Sequence, residues 1–130
     1  MPKILVIEDD PFNVELFELT LQRLGNFETI ATDKGDEIIS ILNTEKVDLI
    51  ILDVSLDNTY INNQKYNGVE LAKFIKSNSD WSKIPIIIVT AYAGDDDISR
   101  ILKESRAEEC IKKPITNYNE FIKLIRGYIS

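Results

Sequence analysis

Five side chains in this sequence carry chemistry: Glu8, Asp9, Asp53, Thr90 and Lys113. They stand at the ends of short candidate strands, three of them largely apolar. Residues 3–7 (KILVI) break into Glu8-Asp9-Asp10-Pro11, and residues 49–52 run straight into Asp53. Residues 86–89 (IIIV) end at Thr90-Ala91, and the short run at 108–112 ends at Lys113-Pro114. Short apolar runs of this kind read as strands of a parallel sheet, buried on both faces. The carboxyl ends of parallel strands share one edge, where open α/β sheets place their ligands. Three carboxylates, a hydroxyl and an ammonium therefore converge on one rim. Carboxylates this close repel one another and take up protons unless a partner relieves them. A divalent cation does so, and hard oxygen ligands select Mg²⁺ or Mn²⁺. One oxygen of Asp53 is then left free as a nucleophile. Phosphoryl transfer asks a protein mainly for positioning and charge neutralisation. Lys113 and the cation suit two phosphoryl oxygens, and the Thr90 hydroxyl a third. The set reads as a carboxylate that accepts a phosphoryl group and holds it as an acyl phosphate.

The elements that must position these groups follow from periodicity. After the first strand, Pro11 suits the first turn of a helix. Val14, Leu16, Phe17, Leu19, Leu21 and Leu24 continue it at helical spacing, with Gly25 as its C-cap. Residues 27–32 form a second strand, and Thr29, Thr32 and Asp33 suit it to a position near the sheet edge. Residues 34–43 are a helix with a buried stripe of Ile38, Ile39, Ile41 and Leu42. Residues 48–52 are the third strand. Residues 55–67 are polar, show no clear periodic element and exceed the usual βα connection. Val69, Leu71, Ala72, Phe74 and Ile75 mark a third helix, and Trp81 and Phe74 read as packing residues. The fourth strand is residues 86–89. Gly94 and the acids Asp95, Asp96 and Asp97 open a fourth helix through Ile98, Ile101 and Leu102, the acids complementing its dipole. The fifth strand, residues 108–112, precedes a helix built on Phe121, Ile122, Leu124, Ile125 and Tyr128. Five strand-then-helix repeats predict a parallel sheet with right-handed crossovers and helices on both faces. Strand alternation sends only one of Lys112 and Lys113 toward the rim, and the following Pro114 favours Lys113.

The chain has 130 residues, 44% hydrophobic and 28% charged, which suits one folded domain. No apolar run approaches the length of a membrane span, and the start at Met1-Pro2-Lys3 leads directly into a strand without a signal peptide. A single cysteine, Cys110, excludes an internal disulfide and fits a reducing cytoplasm. The absence of histidine removes Ser-His-Asp and Cys-His machineries. A net charge of −7 opposes direct nucleic-acid binding.

With these residues in this order, the sequence resembles a receiver domain of the two-component response-regulator family, of the single-domain, chemotaxis-regulator-like kind. The likeness spans the whole chain. The family's acidic pair falls on Glu8 and Asp9, its phosphorylated aspartate on Asp53, 44 residues beyond Asp9, its Ser/Thr on Thr90 and its lysine on Lys113. The resemblance implies a flavodoxin-like, doubly wound, five-stranded parallel sheet of order 2-1-3-4-5 with five helices. It implies Mg²⁺ held by Asp9, Asp53 and the backbone carbonyl of Ser55, with Glu8 acting through water. It further implies a stand-alone regulator without an output domain, not an enzyme beyond its own phosphorylation and dephosphorylation. Its donor would be a phosphohistidine on a sensor histidine kinase or histidine phosphotransfer domain. Its signal would pass to an unknown downstream protein through roughly residues 97–128, with dimerisation on phosphorylation left open.

Three departures bear on the wiring. The glycine after Asp53 is Gly68, fifteen residues on and later than the family pattern, and Asp57 stands where a Pro is usual. The added residues, Tyr60 and Tyr66 among them, read as a tolerated surface loop or as a lid or partner contact. Cys110 stands where the family often has the aromatic that reports phosphorylation, and reads as a small packing residue. Tyr92 occupies a position that tunes phosphoryl lifetime, and an aromatic there predicts slow hydrolysis. Arg106-Ala107 replaces a common Gly-Ala pair at some cost in helix capping. Two other classes remain as alternatives: a phosphorylation-independent binding module with the receiver fold, and an aspartyl-phosphate phosphatase. The phosphatase reading is opposed by Ser55, where such enzymes carry a second aspartate.

Overall fold

In a computed structural model of the protein, which describes residues 1–91 and 94–129, the apolar runs become five parallel strands. These are β1 (Lys3–Ile7), β2 (Glu28–Thr32), β3 (Leu49–Asp53), β6 (Ile86–Thr90) and β7 (Glu109–Lys112), in the order β2-β1-β3-β6-β7. Two further strands, β4 (Tyr60–Ile61) and β5 (Gln64–Lys65), pair antiparallel as a separate hairpin. The helices are α1 (Pro11–Arg23), α2 (Gly35–Thr44), α3 (Gly68–Lys76), α4 (Asp95–Ser105) and α5 (Tyr118–Ile129). Apart from the hairpin, this is the doubly wound, flavodoxin-like architecture expected, with its five-stranded order.

Period-two alternation divides the core into two layers. Ile4 and Val6, Leu49 and Ile51, and Ile87 and Val89 pack with Phe17 and Leu21 of α1 and with Phe121, Ile122 and Ile125 of α5. Leu5 and Ile7, Ile50 and Leu52, and Ile86 and Ile88 pack with Ile38, Leu71, Ile75 and Ile101 on the opposite face. All five residues of β3 and all five of β6 are buried. Pairing of Ile7 with Leu52, Asp53 with Val89 and Thr90 with Lys112 brings the ends of β1, β3, β6 and β7 to one rim.

Side-chain caps fix where the helices begin. The Asp10 carboxylate accepts from the Phe12 N–H at 2.9 Å, ahead of Pro11 at the first helical position. Asn67 and Glu70 form a capping box on α3, with bonds of 2.8 and 3.0 Å. Asp97 accepts from the Gly94 N–H at 3.1 Å at the start of α4. At the other end of α4, Arg106 takes the left-handed conformation (φ 64°), where a glycine carries less steric cost.

Two expectations need correction. Gly25 is not a left-handed cap: α1 closes on Leu24, and the residue with positive φ is Asn26 (56°). Gly25 instead leaves room for Phe27, since a Cβ there would lie 2.5 Å from its ring. Residues 55–67 are also more than an aperiodic loop. Asn62 and Asn63 both adopt positive φ (52° and 65°), as a two-residue hairpin turn requires. Leu56, Thr59 and Ile61 are buried, and the Thr59 hydroxyl donates to the Asp33 carbonyl at 2.6 Å. The hairpin thus rests on the start of α2, where a Cβ on Gly35 would lie 2.0 Å from the Tyr60 carbonyl oxygen.

Candidate functional site

At the rim, alternation decides which side chains meet. Glu8 continues the face of Ile4 and Val6, Asp53 that of Leu49 and Ile51, and Lys113 that of Ile111. All three therefore project on the α1/α5 side. Lys113 Nζ lies 2.9 Å from Glu8 Oε1 and 3.4 Å from Asp53 Oδ2. One carboxylate oxygen each from Glu8, Asp9 and Asp53 lie within 4.8 Å of one another. Lys112 points away, 3.9 Å from Asp95 at the surface. The Lys113–Pro114 peptide is cis, and the Lys113 N–H donates to the Thr90 carbonyl at 2.8 Å.

Thr90 belongs to the other face of β6, in step with Ile86 and Ile88, and is buried. It lines a cavity of about 490 Å³ together with Ser55, Asn67, Glu70, Arg100 and Ile101. Ser55 donates its N–H to Asp53 Oδ1 at 3.3 Å. Gly68 closes the back of the site. Its N–H donates to the Val54 carbonyl at 2.9 Å, and a Cβ there would lie 2.1 Å from the Asp53 carbonyl oxygen. Only glycine lets α3 start this close to the end of β3.

The electrostatics are those of a crowded acidic site. Burial pushes the Glu8 carboxyl above the ordinary range, neighbouring Asp53 adds to this, and Lys113 opposes it. The Asp9 carboxyl is also raised, first by burial and then by Glu8, against a hydrogen bond from the Asp57 N–H at 3.3 Å. Within the cluster, one ammonium faces three carboxylates. A hard divalent cation fits the charge it leaves unbalanced and the all-oxygen donor set. The residues available to hold it are Glu8, Asp9 and Asp53.

Asp10 is absorbed by capping, and Asp95, Asp96 and Asp97 by the first turn of α4. Tyr66 packs edge-on against Phe74, with ring centroids 5.6 Å apart, whereas Tyr60 is exposed. Cys110 sits half-buried against the α2/α3/α4 core, and burial raises its thiol pKa. Tyr92 lies outside the described residues. Two site features had not been read from the sequence: the Asp57 N–H on Asp9 and the contact of Gly68 with the Asp53 carbonyl. The first is donated by a backbone N–H, which every residue but proline carries, so the Asp57 side chain gives no signature of it. The second is hinted at by a glycine immediately before an apolar helical stretch.

The model of the response regulator receiver domain matches residues 4–126. The polar-differentiation response regulator DivK of Brucella anthropi is 33% identical over 130 residues, covering 99% of this chain and 98% of its own. Among solved structures, the signal receiver domain of a histidine kinase from Syntrophus aciditrophicus has a TM-score of 0.81 at 26% identity, over 99% of this chain and 90% of that one. The receiver domain of sensor histidine kinase PA1611 from Pseudomonas aeruginosa, solved with magnesium coordinated in its active-site cleft, shares the fold. Its TM-score is 0.79 at 22% identity, over 98% of this chain and 97% of that one. The chain belongs to the response regulator receiver family.

Proposed function

We propose that this protein is a phosphorylated switch. Asp53 accepts a phosphoryl group from a phosphohistidine on a sensor histidine kinase or histidine phosphotransfer domain, and the product signals by protein–protein interaction. The observation that carries this is the meeting of Asp53 with Asp9, Glu8 and Lys113 at one rim. In the step, a carboxylate oxygen of Asp53 bonds to phosphorus as the P–N bond breaks. The electron pair leaves with the imidazole nitrogen, and Asp53 becomes an acyl phosphate. Asp9, Asp53 and the Ser55 carbonyl are the groups that would hold Mg²⁺, which would supply charge neutralisation at the phosphoryl oxygens. Lys113, already beside Asp53 Oδ2, binds a phosphoryl oxygen and keeps Glu8 in place. The Thr90 hydroxyl takes another. Because Thr90 lines the cavity against Arg100 and Ile101, its movement alters what α4 packs on, which gives the phosphoryl group a route to the surface.

The donor must bring its imidazole to the rim and so must pack beside it. A cavity of about 320 Å³ next to Lys113 is lined by Phe12, Leu16, Pro114 and Ile115, and Phe12 and Leu16 are exposed. An apolar helix face suits it. The lone thiol and the donor chemistry fit the cytoplasm.

The test is incubation with Mg²⁺ and acetyl phosphate, read by intact mass. The wild type is expected to gain one phosphoryl group, and Asp53→Asn or chelation to abolish the gain. A wild type that gains nothing, or an Asp53→Asn variant that gains as much, rejects the proposal.

A further inference from the structure

The hairpin after Asp53 is tied to the acidic cluster by one bond. The Asp57 N–H donates to Asp9 Oδ2 at 3.3 Å. Asp57 lies between two anchors: Leu56 is 3% exposed, and Thr59 is fully buried, its hydroxyl on the Asp33 carbonyl. The Tyr66 N–H closes the loop on the Thr59 carbonyl at 2.9 Å, and Ile61 packs into the core. The N–H that reaches Asp9 is therefore held by a folded hairpin. Asp9 itself is only half-buried, and the single bond its side chain receives from another segment is this one, among the described residues. A carboxylate oxygen has two lone pairs, so Oδ2 can accept this N–H and still ligate a cation. Outer partners of this kind orient metal ligands and commonly change affinity by about tenfold or more.

We propose that Asp57 is a positioning residue of the cation site, acting through its backbone N–H on Asp9, and that the 56–66 hairpin is thereby coupled to divalent-cation binding. The inference rests on the reading of Glu8, Asp9 and Asp53 as a Mg²⁺ site. A proline at position 57 would have no N–H to give. Coupling is reciprocal: the factor by which the ordered hairpin tightens the cation is the factor by which the cation favours the ordered hairpin.

Two substitutions isolate the bond. Asp57→Asn and Asp57→Pro lose the same charge, but only Pro loses the N–H. Mg²⁺ titration by calorimetry is expected to give about tenfold weaker binding for Asp57→Pro than for Asp57→Asn. In the wild type, saturating Mg²⁺ is expected to slow hydrogen exchange at the Tyr66 amide by up to a similar factor, without any phosphodonor. Thr59→Val, which cuts the tether to Asp33 at nearly constant volume, is expected to weaken Mg²⁺ and speed Tyr66 exchange together. It decides the matter if Asp57→Pro fails to fold. A wild type that binds no Mg²⁺ overturns the cation site and this coupling with it. A wild type that binds Mg²⁺, with Thr59→Val equal to it in affinity and Tyr66 exchange indifferent to the cation, overturns the coupling alone.

Discussion

Replacing Lys113 by Met keeps a long apolar stem and removes the ammonium from the carboxylate cluster. In the wild type this ammonium sits 2.9 Å from Glu8 and 3.4 Å from Asp53, with side chains 17%, 1% and 8% exposed respectively. Breaking a pair this enclosed leaves an uncompensated charge and costs about 3 kcal/mol, the low end of the usual range because Lys113 keeps some contact with water. For a chain of this length that lowers Tm by roughly 10 °C. The loss also has a pH signature. Glu8 is already raised above its ordinary 4.5 by burial and by Asp53, and Lys113 opposes both. Without Lys113 it rises further. A carboxyl whose folded value lies above its unfolded one destabilises the fold when ionised, and the penalty fades as pH falls through that interval. The deficit of Lys113→Met should therefore be largest near pH 8 and shrink toward about pH 5. Mg²⁺ at pH 8 should recover part of it, because a cation restores the missing positive charge. Urea unfolding in EDTA at the two pH values measures this. A deficit of the same size at both, or none at pH 8, would refute the electrostatic account of the cluster.

Gly68→Ala should destabilise by about 2 kcal/mol or more, since its Cβ meets the Asp53 carbonyl at 2.1 Å and backbone cannot yield as a side chain does; equilibrium unfolding within 0.5 kcal/mol of the wild type would show that α3 slides freely. Lys76→Met should cost about 2–3 kcal/mol by chemical denaturation. Its side chain is 6% exposed, and its ammonium donates to the Ser82 and Ile84 carbonyls at 3.1 and 2.7 Å and to Glu108 at 2.8 Å, tying α3 to the segments that lead into β6 and β7. An unchanged midpoint would mean that these partners are met by water instead. Cys110 should alkylate at neutral pH more slowly than in the unfolded chain, because burial and Glu109 raise its thiol pKa and thiolate is the reactive form; equal rates would reject that environment.

The architecture was legible because β1, β3 and β6 each announce themselves twice, by an apolar run and by a change of chemistry at its end. β3 and β6 are buried on both faces, so their sequences, LIILD and IIIVT, carry almost no competing periodicity. The hairpin was not legible for the opposite reason. Its strands are two residues each, too short for alternation to register, and its inward residues, Leu56, Thr59 and Ile61, are interleaved with polar ones. The signal that was present is Asn62-Asn63, two residues that tolerate positive φ at the centre of a tight turn. Gly25 misled because glycine at a helix end suggests a left-handed cap, whereas here the demand is for space beside Phe27.

In the site, side-chain type and strand position were enough to bring Glu8, Asp9, Asp53 and Lys113 together, since parallel register leaves strand ends nowhere else to go. The same register separates Thr90 from them by one step of alternation. Thr90 follows Ile88 onto the α4 side while Asp53 follows Ile51 toward α1. On the proposed function, the Thr90 hydroxyl moves from this face toward a phosphoryl group on Asp53. That movement must disturb the cavity it shares with Arg100 and Ile101. On the proposed function, the chemistry and its readout are thus divided between the two faces of one sheet. A substitution at Ile101 that fills this cavity should therefore change what phosphorylation does to α4 while leaving the rate of phosphorylation at Asp53 intact. Ile101→Phe, followed by amide shifts across α4 with and without beryllofluoride, tests this. A variant whose phosphorylation rate falls while its α4 shifts match the wild type would contradict the division.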